Sequence, residues 1–270
     1  MTVERMSFNQ MTLDPWSMEK CVRECERLGI PYIAPWRHKL GDCRQTAKLI
    51  RDAGLKVSSL CRGGWFSAPT EAERRLKMDD NRRAIDEARE IGSPVLVLVV
   101  GPANGQTLDD ARKLVVDAVR ELAPYAASAG VSLGIEPLHP IFAADRSVVV
   151  TLGQANDMVE EIGQPAVGVI VDAFHVWWDP RVYKEIARAG KMILGYHVSD
   201  WAVPLPGILM SRSLMGDGVI ELRRLREAVE QTGYFGPIEV EIFNEEIWKN
   251  ADNGMLERIC DRYRECVLPD

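Results

Sequence analysis

Short apolar runs alternate with longer stretches in which apolar residues return every three or four positions, and the alternation holds along the whole chain. The runs at Met6–Leu13, Tyr32–Pro35, Lys56–Cys61, Val95–Val100, Ser132–Glu136, Val167–Asp172, Ile193–Ser199 and Ile238–Phe243 predict strands. Several are nearly continuous in Val, Ile and Leu, the pattern of parallel strands buried on both faces. The stretches between them predict helices at Trp16–Leu28, Cys43–Ala53, Glu71–Ile91, Leu108–Ala129, Ala155–Ile162, Arg181–Ala189, Ile220–Thr232 and Glu245–Cys266. Gly29, Gly54, Gly92, Gly130, Gly163, Gly190 and Gly233 sit at or just after helix ends, where a left-handed cap turns the chain back. Val148–Val150 reads either as a small extra strand or as the entry to the fifth helix.

This strict alternation of strands and helices predicts a parallel α/β sheet, and the number of units favours a closed (β/α)8 TIM barrel over an open sheet. No GxGxxG follows the first strand, so a dinucleotide fold has little support. No linker or low-complexity segment divides the chain, and residues 1–270 are expected to form one barrel domain.

Composition narrows the function classes. A chain of 270 residues with 46% hydrophobic content can bury one large core. The net charge of -7 and the absence of any Lys/Arg run argue against nucleic acid as a partner. No apolar stretch approaches the roughly 18 residues needed to span a bilayer. Met1–Met11 has no apolar core of a signal peptide, so a cytoplasmic protein is expected. None of the six cysteines forms a CxxC pair; Cys21 and Cys25, one helical turn apart, are expected to be small buried thiols.

Barrel enzymes place their chemistry at the C-terminal ends of the strands. Strands five to eight end in Glu136, Asp172, His197 and Glu241, four residues at one rim. Three carboxylates and one imidazole suit a hard-to-borderline divalent ion, manganese first, with magnesium or cobalt as alternatives. The chain has four histidines, and His139, His175 and His197 all follow strands five to seven. His139 serves either as a base or as a partner that orients Glu136. Trp36, Arg37, Arg62 and Trp65 follow strands two and three and are expected to line the mouth with His175, as are Trp177 and Trp178. Asp200 precedes a long segment, Trp201–Gly218, which carries Arg212 and is expected to close over substrate or to receive a partner subunit. Asp145 and Arg146 are expected to pair with each other. Glu239 shares the face of Glu241, one layer deeper, either supporting the site or pairing with a buried charge.

The segments Ile135–Pro140, Val171–His175, His197–Asp200 and Met215–Gly218 resemble the xylose-isomerase-like barrel superfamily, and the resemblance covers essentially the whole chain. That superfamily includes sugar isomerases, ketose 3-epimerases, inosose-handling enzymes and endonuclease IV. The resemblance implies one metal held by Glu136, Asp172, His197 and Glu241, with His175 binding substrate beside it. The many histidines of the trinuclear-zinc endonuclease branch are absent. In ketose 3-epimerases the two metal-bound glutamates also form the acid–base pair, and Glu136 and Glu241 match those positions. The stretch Glu136-Pro137-Leu138-His139-Pro140 looks more like the large subunits of C-glycoside deglycosidases. These act on 3-oxo-glycosides with such a histidine as base and pair with a small second subunit. The expected function is therefore a C-deglycosylating lyase with His139 as base. A ketose 3-epimerase or sugar isomerase using Glu136 and Glu241 comes next, and a non-catalytic carbohydrate-binding barrel third. A small sugar or glycoside is the expected substrate, with a small second subunit or a second copy of the chain as protein partner.

Overall fold

Every strand pairing in the main sheet is parallel, and the order of the strands shows how the sheet closes. The computed structural model describes residues 3–68 and 70–269. In chain order the strands are β1 (Met6–Asn9), β2 (Tyr32–Ala34), β3 (Lys56–Val57), β4 (Leu60–Gly64), β5 (Val95–Val99), β6 (Ser132–Ile135), β7 (Val167–Asp172), β8 (Ile193–Val198), β9 (Asp200–Trp201), β10 (Arg212–Ser213) and β11 (Ile238–Val240). The main sheet runs β3-β2-β1-β11-β8-β7-β6-β5-β4. Its two ends, β3 and β4, are consecutive pieces of one strand interrupted at Ser58 and Ser59. The ring thus closes through a single broken strand, and the nine segments make the eight staves of a TIM barrel.

The helices that follow are α1 (Met18–Leu28), α2 (Cys43–Asp52), α3 (Glu71–Ile91), α4 (Leu108–Ala129), α5 (Leu152–Ile162), α6 (Ala173–Val176), α7 (Val182–Ala189), α8 (Leu222–Gln231), α9 (Glu245–Lys249) and α10 (Met255–Cys266). Among the described residues, no helix is long and apolar enough to cross a membrane. Helix starts carry the expected side-chain caps: Ser17, Asp42, Thr107 and Thr151 each accept a backbone N–H, and Thr70 forms a capping box with Glu73. Gly29, Gly92, Gly130 and Gly163 close α1, α3, α4 and α5 in left-handed conformations, as the pattern predicts.

Three local expectations are corrected, and one left between two readings is decided. The first run is a strand only to Asn9, after which Gln10–Leu13 form a 3-10 turn capped by the Asn9 side chain. The third strand is broken into two. The last helix is two helices, α9 and α10, separated by a turn containing Gly254. Val148–Val150 forms no strand: Val148 N–H donates to Gly101 O and Leu138 N–H donates to Val149 O. The stretch thereby ties the loops after β5 and β6 together and leads into α5.

Two packing layers position the site. Helices and outward strand residues form the main core, which includes Cys21 and Cys25 as buried free thiols. Inside the barrel, Cys61, Val95, Val97 and Ile170 make a smaller plug. The plug depends on Gly134, whose missing Cβ would lie 2.6 Å from Ile170 Cδ1. At the top of β4, Gly64 has φ 101. A Cβ there would sit 2.0 Å from the carbonyl oxygen of Val99, which accepts the Trp65 N–H. Asn81 on α3 clamps the same turn, accepting the Gly64 N–H and donating to the Gly64 carbonyl. Gly64→Ala is therefore expected to cost about 2–4 kcal/mol of stability, read as a lowered urea midpoint at unchanged slope. A variant with the wild-type midpoint would mean that the backbone relaxes freely here.

Candidate metal centre and cavity

The register of the barrel delivers one residue of the site from each of four adjacent staves. Asp172 ends β7 opposite His197 of β8, and His197 lies opposite Glu239 of β11. Glu136 follows β6 with its N–H on Leu98 O, and Glu241 follows β11 with its N–H on Val198 O. The four predicted ligands, Glu136, Asp172, His197 and Glu241, are all buried, and one donor atom from each falls within 4.8 Å of the others.

Each ligand is held so that one atom points at the common centre. Asp172 Oδ1 accepts the Phe174 N–H at 2.9 Å and caps α6, so Oδ2 is turned to the site, where Arg212 pairs with it at 2.8 Å. His197 Nε2 faces Glu239 Oε2 at 3.6 Å, while Nδ1 lies 3.3 Å from Glu136 Oε1 and 3.7 Å from Glu241 Oε2. Glu239 is itself fully engaged: Asn9 Nδ2 donates to Oε1 at 2.7 Å, and the hydroxyls of Ser58 and Ser59 reach Oε2 at 3.1 and 2.8 Å. Glu239 thus supports the site rather than joining it, and Asn9 also reaches Glu241 Oε1 at 3.2 Å. Glu136 Oε1 and His197 Nδ1 are buried without a hydrogen-bond partner. Buried polar atoms without partners are costly, and two converging with Asp172 Oδ2 on one point fit a bound cation. The donor set can hold a divalent metal ion.

The same crowding of carboxylates shifts the protonation of the group. Burial, reinforced by Glu241 and Asp172, pushes the Glu136 carboxyl up to about 7. Burial alone would depress His197, but the surrounding Glu239, Glu136 and Glu241 raise it well above the usual imidazole range. Arg212 adds positive charge from the opposite side. Its guanidinium lies 2.8 Å from Asp172 Oδ2 and 3.3 Å from Glu241 Oε2, between the rings of Phe174 and Phe243. It arrives there because the segment after β8 folds back: β9 and β10 pair as an antiparallel ribbon. The predicted lid is thus anchored at the site by Arg212, while Val203 and Ile208 on the same segment remain exposed.

A cavity of about 140 Å³ opens on the centre. This is small beside the roughly 300–1,000 Å³ of drug-sized pockets, which limits the ligand to a small molecule. Glu136, Glu241, His175 and Arg212 form its floor, with Trp36 and Arg62 among the predicted wall residues. Leu138, Phe142, Phe174, Leu209 and Phe243 make the remaining wall largely apolar. His175 Nδ1 accepts the His139 N–H at 3.1 Å, and its Nε2 lies 3.0 Å from Arg212 Nη2. Burial holds the His175 imidazolium pKa down to about 3, so the ring is neutral.

Other predicted residues lie elsewhere. Arg37 is bound by Asp80 and Glu87 of α3 and lines a neighbouring groove, not the cavity. Trp65 lies in that groove as well, its ring under the Arg62 guanidinium at 4.7 Å. Asp200 accepts the backbone N–H groups of Trp201, Gly216 and Ile220 and organises the loop after β8. His139 does not line the cavity; its Nδ1 accepts the Ile141 N–H at 3.2 Å, and its ring packs on Trp201 and Trp178. Burial brings its pKa down to about 4. Asp145 and Arg146 approach only to 3.9 Å. Asn9 and the apolar wall were missed, although Asn9, ending β1 at the same rim, carried the positional signal.

The sequence model of the family described as xylose isomerase-like TIM barrel matches residues 22–265. The inosose isomerase of Bacillus velezensis is 25% identical over 258 residues, covering 91% of this chain and 90% of that protein. The 3-dehydroshikimate dehydratase of Pseudomonas putida is 28% identical over 216 residues, covering 76% of this chain. The match spans only 32% of that dehydratase's length. Among solved structures, protein SMc04130 from Sinorhizobium meliloti 1021 superposes with a TM-score of 0.96 at 44% identity, over 99% of this chain and 100% of that one. The IOLI protein with a zinc atom shares the fold at a TM-score of 0.85 and 22% identity, over 97% and 98% of the two chains.

The role of Glu239 can be measured directly. Glu239→Gln is expected to weaken manganese binding by about 10–100-fold in isothermal titration calorimetry, because it loosens the ring whose Nδ1 faces the ion. Wild-type affinity would show that His197 is oriented by other contacts.

Proposed function

Because the chain belongs to the xylose isomerase-like TIM barrel family, we propose that it moves a proton beside the carbonyl of a small keto-polyol, as an isomerase or epimerase. Glu136 and Glu241 are its acid–base pair. The observation that carries this proposal is that both glutamates line the cavity and reach the same point from different staves. The named relatives act in the same chemical territory, as an inosose isomerase and a dehydratase.

A divalent ion at the four-residue centre, manganese in this proposal, supplies positive charge beside the substrate carbonyl. The protein's own groups do the rest. A neutral His175 that accepts at Nδ1 carries its proton on Nε2, close to the Arg212 guanidinium. Asp172 Oδ2 answers Arg212 Nη1 at 2.8 Å and lies 3.7 Å from His175 Nε2, and a substrate oxygen on the cavity side would accept from both His175 Nε2 and Arg212 Nη2. Phe142, Phe174 and Phe243 keep water away from the carbon whose proton moves. Glu136 and Glu241 are the carboxylates within reach of that carbon, one to take the proton and the other to return it.

The lyase expectation assigned the base to His139, and no contact of that residue favours it: the ring is spent on Ile141, Trp178 and Trp201. A supporting role suits it better, since its backbone N–H fixes His175. The proposal predicts deuterium incorporation, without bond cleavage, when manganese-loaded protein is incubated with inosose or a free ketose in heavy water and followed by proton NMR. Glu136→Gln and Glu241→Gln are expected to slow exchange by at least about 100-fold, and His139→Ala by less than about tenfold. Exchange that survives both glutamine variants but not His139→Ala would return the base to His139.

A further inference from the structure

Almost every half-buried basic residue near the mouth of the barrel is answered by an acid, and two are not. Arg37 is bound by Asp80 and Glu87, and Arg212 by Asp172 and Glu241. Of Arg62 and Arg146, both half-buried and both lining the cavity, the first has no such partner and the second only a long one. Among the described residues Arg62 makes no ion pair; Asp80, which acts on it from a distance, is already held by Arg37 and Arg83. Arg146 has only Asp145, 3.9 Å away and itself 67% exposed.

The two guanidiniums also act on each other. Burial together with the positive charges of Arg146 and Arg37 pushes the Arg62 pKa below its ordinary value. Two like charges in a partly desolvated wall are a cost to the folded chain unless an anion bridges them. The two acids that line the same cavity, Glu136 and Glu241, belong to the four-residue centre, and Glu241 is paired with Arg212. Arg62 is also held in position rather than left free, with its guanidinium over Trp65. Trp65 takes a φ of 55, an uncommon and strained conformation for a bulky residue. Unpaired bases elsewhere, such as Arg51 and Lys56, are exposed and need no such account.

We propose that Arg62 and Arg146 form an oxyanion subsite in the cavity wall, so that the substrate is a small keto-polyol bearing a carboxylate or phosphate group rather than a neutral sugar. The subsite rests on the proposed function for the carbonyl end of that substrate. Guanidinium forks match the planar carboxylate and the phosphate alike. The cavity of about 140 Å³ leaves the carbon skeleton near Glu136 and Glu241 and the charged group at the wall.

Calorimetric titration of the manganese-loaded protein with three polyols tests this: myo-inositol, quinate, and myo-inositol 1-phosphate. At least one anionic ligand is expected to bind tenfold or more tighter than myo-inositol, roughly the gain from a charge-assisted bidentate contact. Tighter quinate binding identifies a carboxylate site, and tighter inositol phosphate binding a phosphate site. Arg62→Gln and Arg146→Gln should each remove about tenfold of that preference for the anionic over the neutral polyol, and Arg62→Lys should restore part of it. Arg146 lies in a loop, so its variant carries the test even where Arg62→Gln folds poorly. Equal affinity for charged and neutral polyols overturns the proposal. So does wild-type anion affinity in both glutamine variants, which would place the anion on the metal instead. Hydrogen exchange on a neutral ketose is read separately, so failure of the proton-transfer reaction leaves the binding result standing.

Discussion

The barrel's mouth is organised by the cost of burying negative charge. Glu136, Asp172, Glu239 and Glu241 are all nearly inaccessible to water and crowd around one imidazole. Two unit charges about 4 Å apart repel by roughly 4 kcal/mol at an effective dielectric near 20. Such a cluster cannot stay ionised without cations or hydrogen-bond donors on every side. Arg212 comes in from one side and pairs with Asp172, His197 sits in the centre, and the converging donor atoms of Glu136, Asp172, His197 and Glu241 can hold a divalent ion. The contacts of the neighbouring elements follow from this requirement.

The break in the third stave shows the effect on the fold. A continuous strand would keep the regular alternation of residues in and out of the barrel. The interruption at Ser58 and Ser59 instead lets both hydroxyls reach Glu239, and Ser58 also bonds Ser7 at 2.7 Å. Asn9 ends β1 just before a 3-10 turn, and from there its amide spans Glu239 and Glu241 while its carbonyl oxygen accepts from Met11 and Trp36. Irregularities in two staves thus supply the donors that a buried carboxylate needs.

The sequence makes the staves and the four candidate ligands legible for one reason. Parallel strands in a barrel end at the same rim, so residue type at each strand end becomes a spatial statement. The same logic placed Glu239 one layer below Glu241, and only its partners were open. Pairings across long sequence distances were not legible. Arg37 has the appearance of a substrate-binding arginine until α3 brings Asp80 and Glu87 to it, 43 and 50 residues later. Asp200 looks like a free carboxylate until the chain returns at Gly216 and Ile220 to donate to it. His139 was read from its spacing to Glu136, yet that spacing says nothing about ring direction, which Trp178 and Trp201 decide. Arg212 was placed near substrate, but the ribbon that drives it between Phe174 and Phe243 has strands too short to announce themselves.

These contacts divide the site into two materials. The acidic groups stand on or directly after strands, where hydrogen-bonded neighbours on both sides hold them. The guanidiniums of the cavity come mostly from more variable parts: Arg212 from a short ribbon and Arg146 from the loop after β6, with Arg62 within β4 of the broken stave. Loops change length and residue with little effect on a barrel, whereas a displaced strand-end carboxylate would undo the centre. In the proposed function the proton chemistry belongs to the staves, and in the proposed subsite the choice of substrate belongs to the arginines. A barrel of this kind can change what it accepts by moving positive charge around its rim, while its carboxylate centre stays where the strands put it.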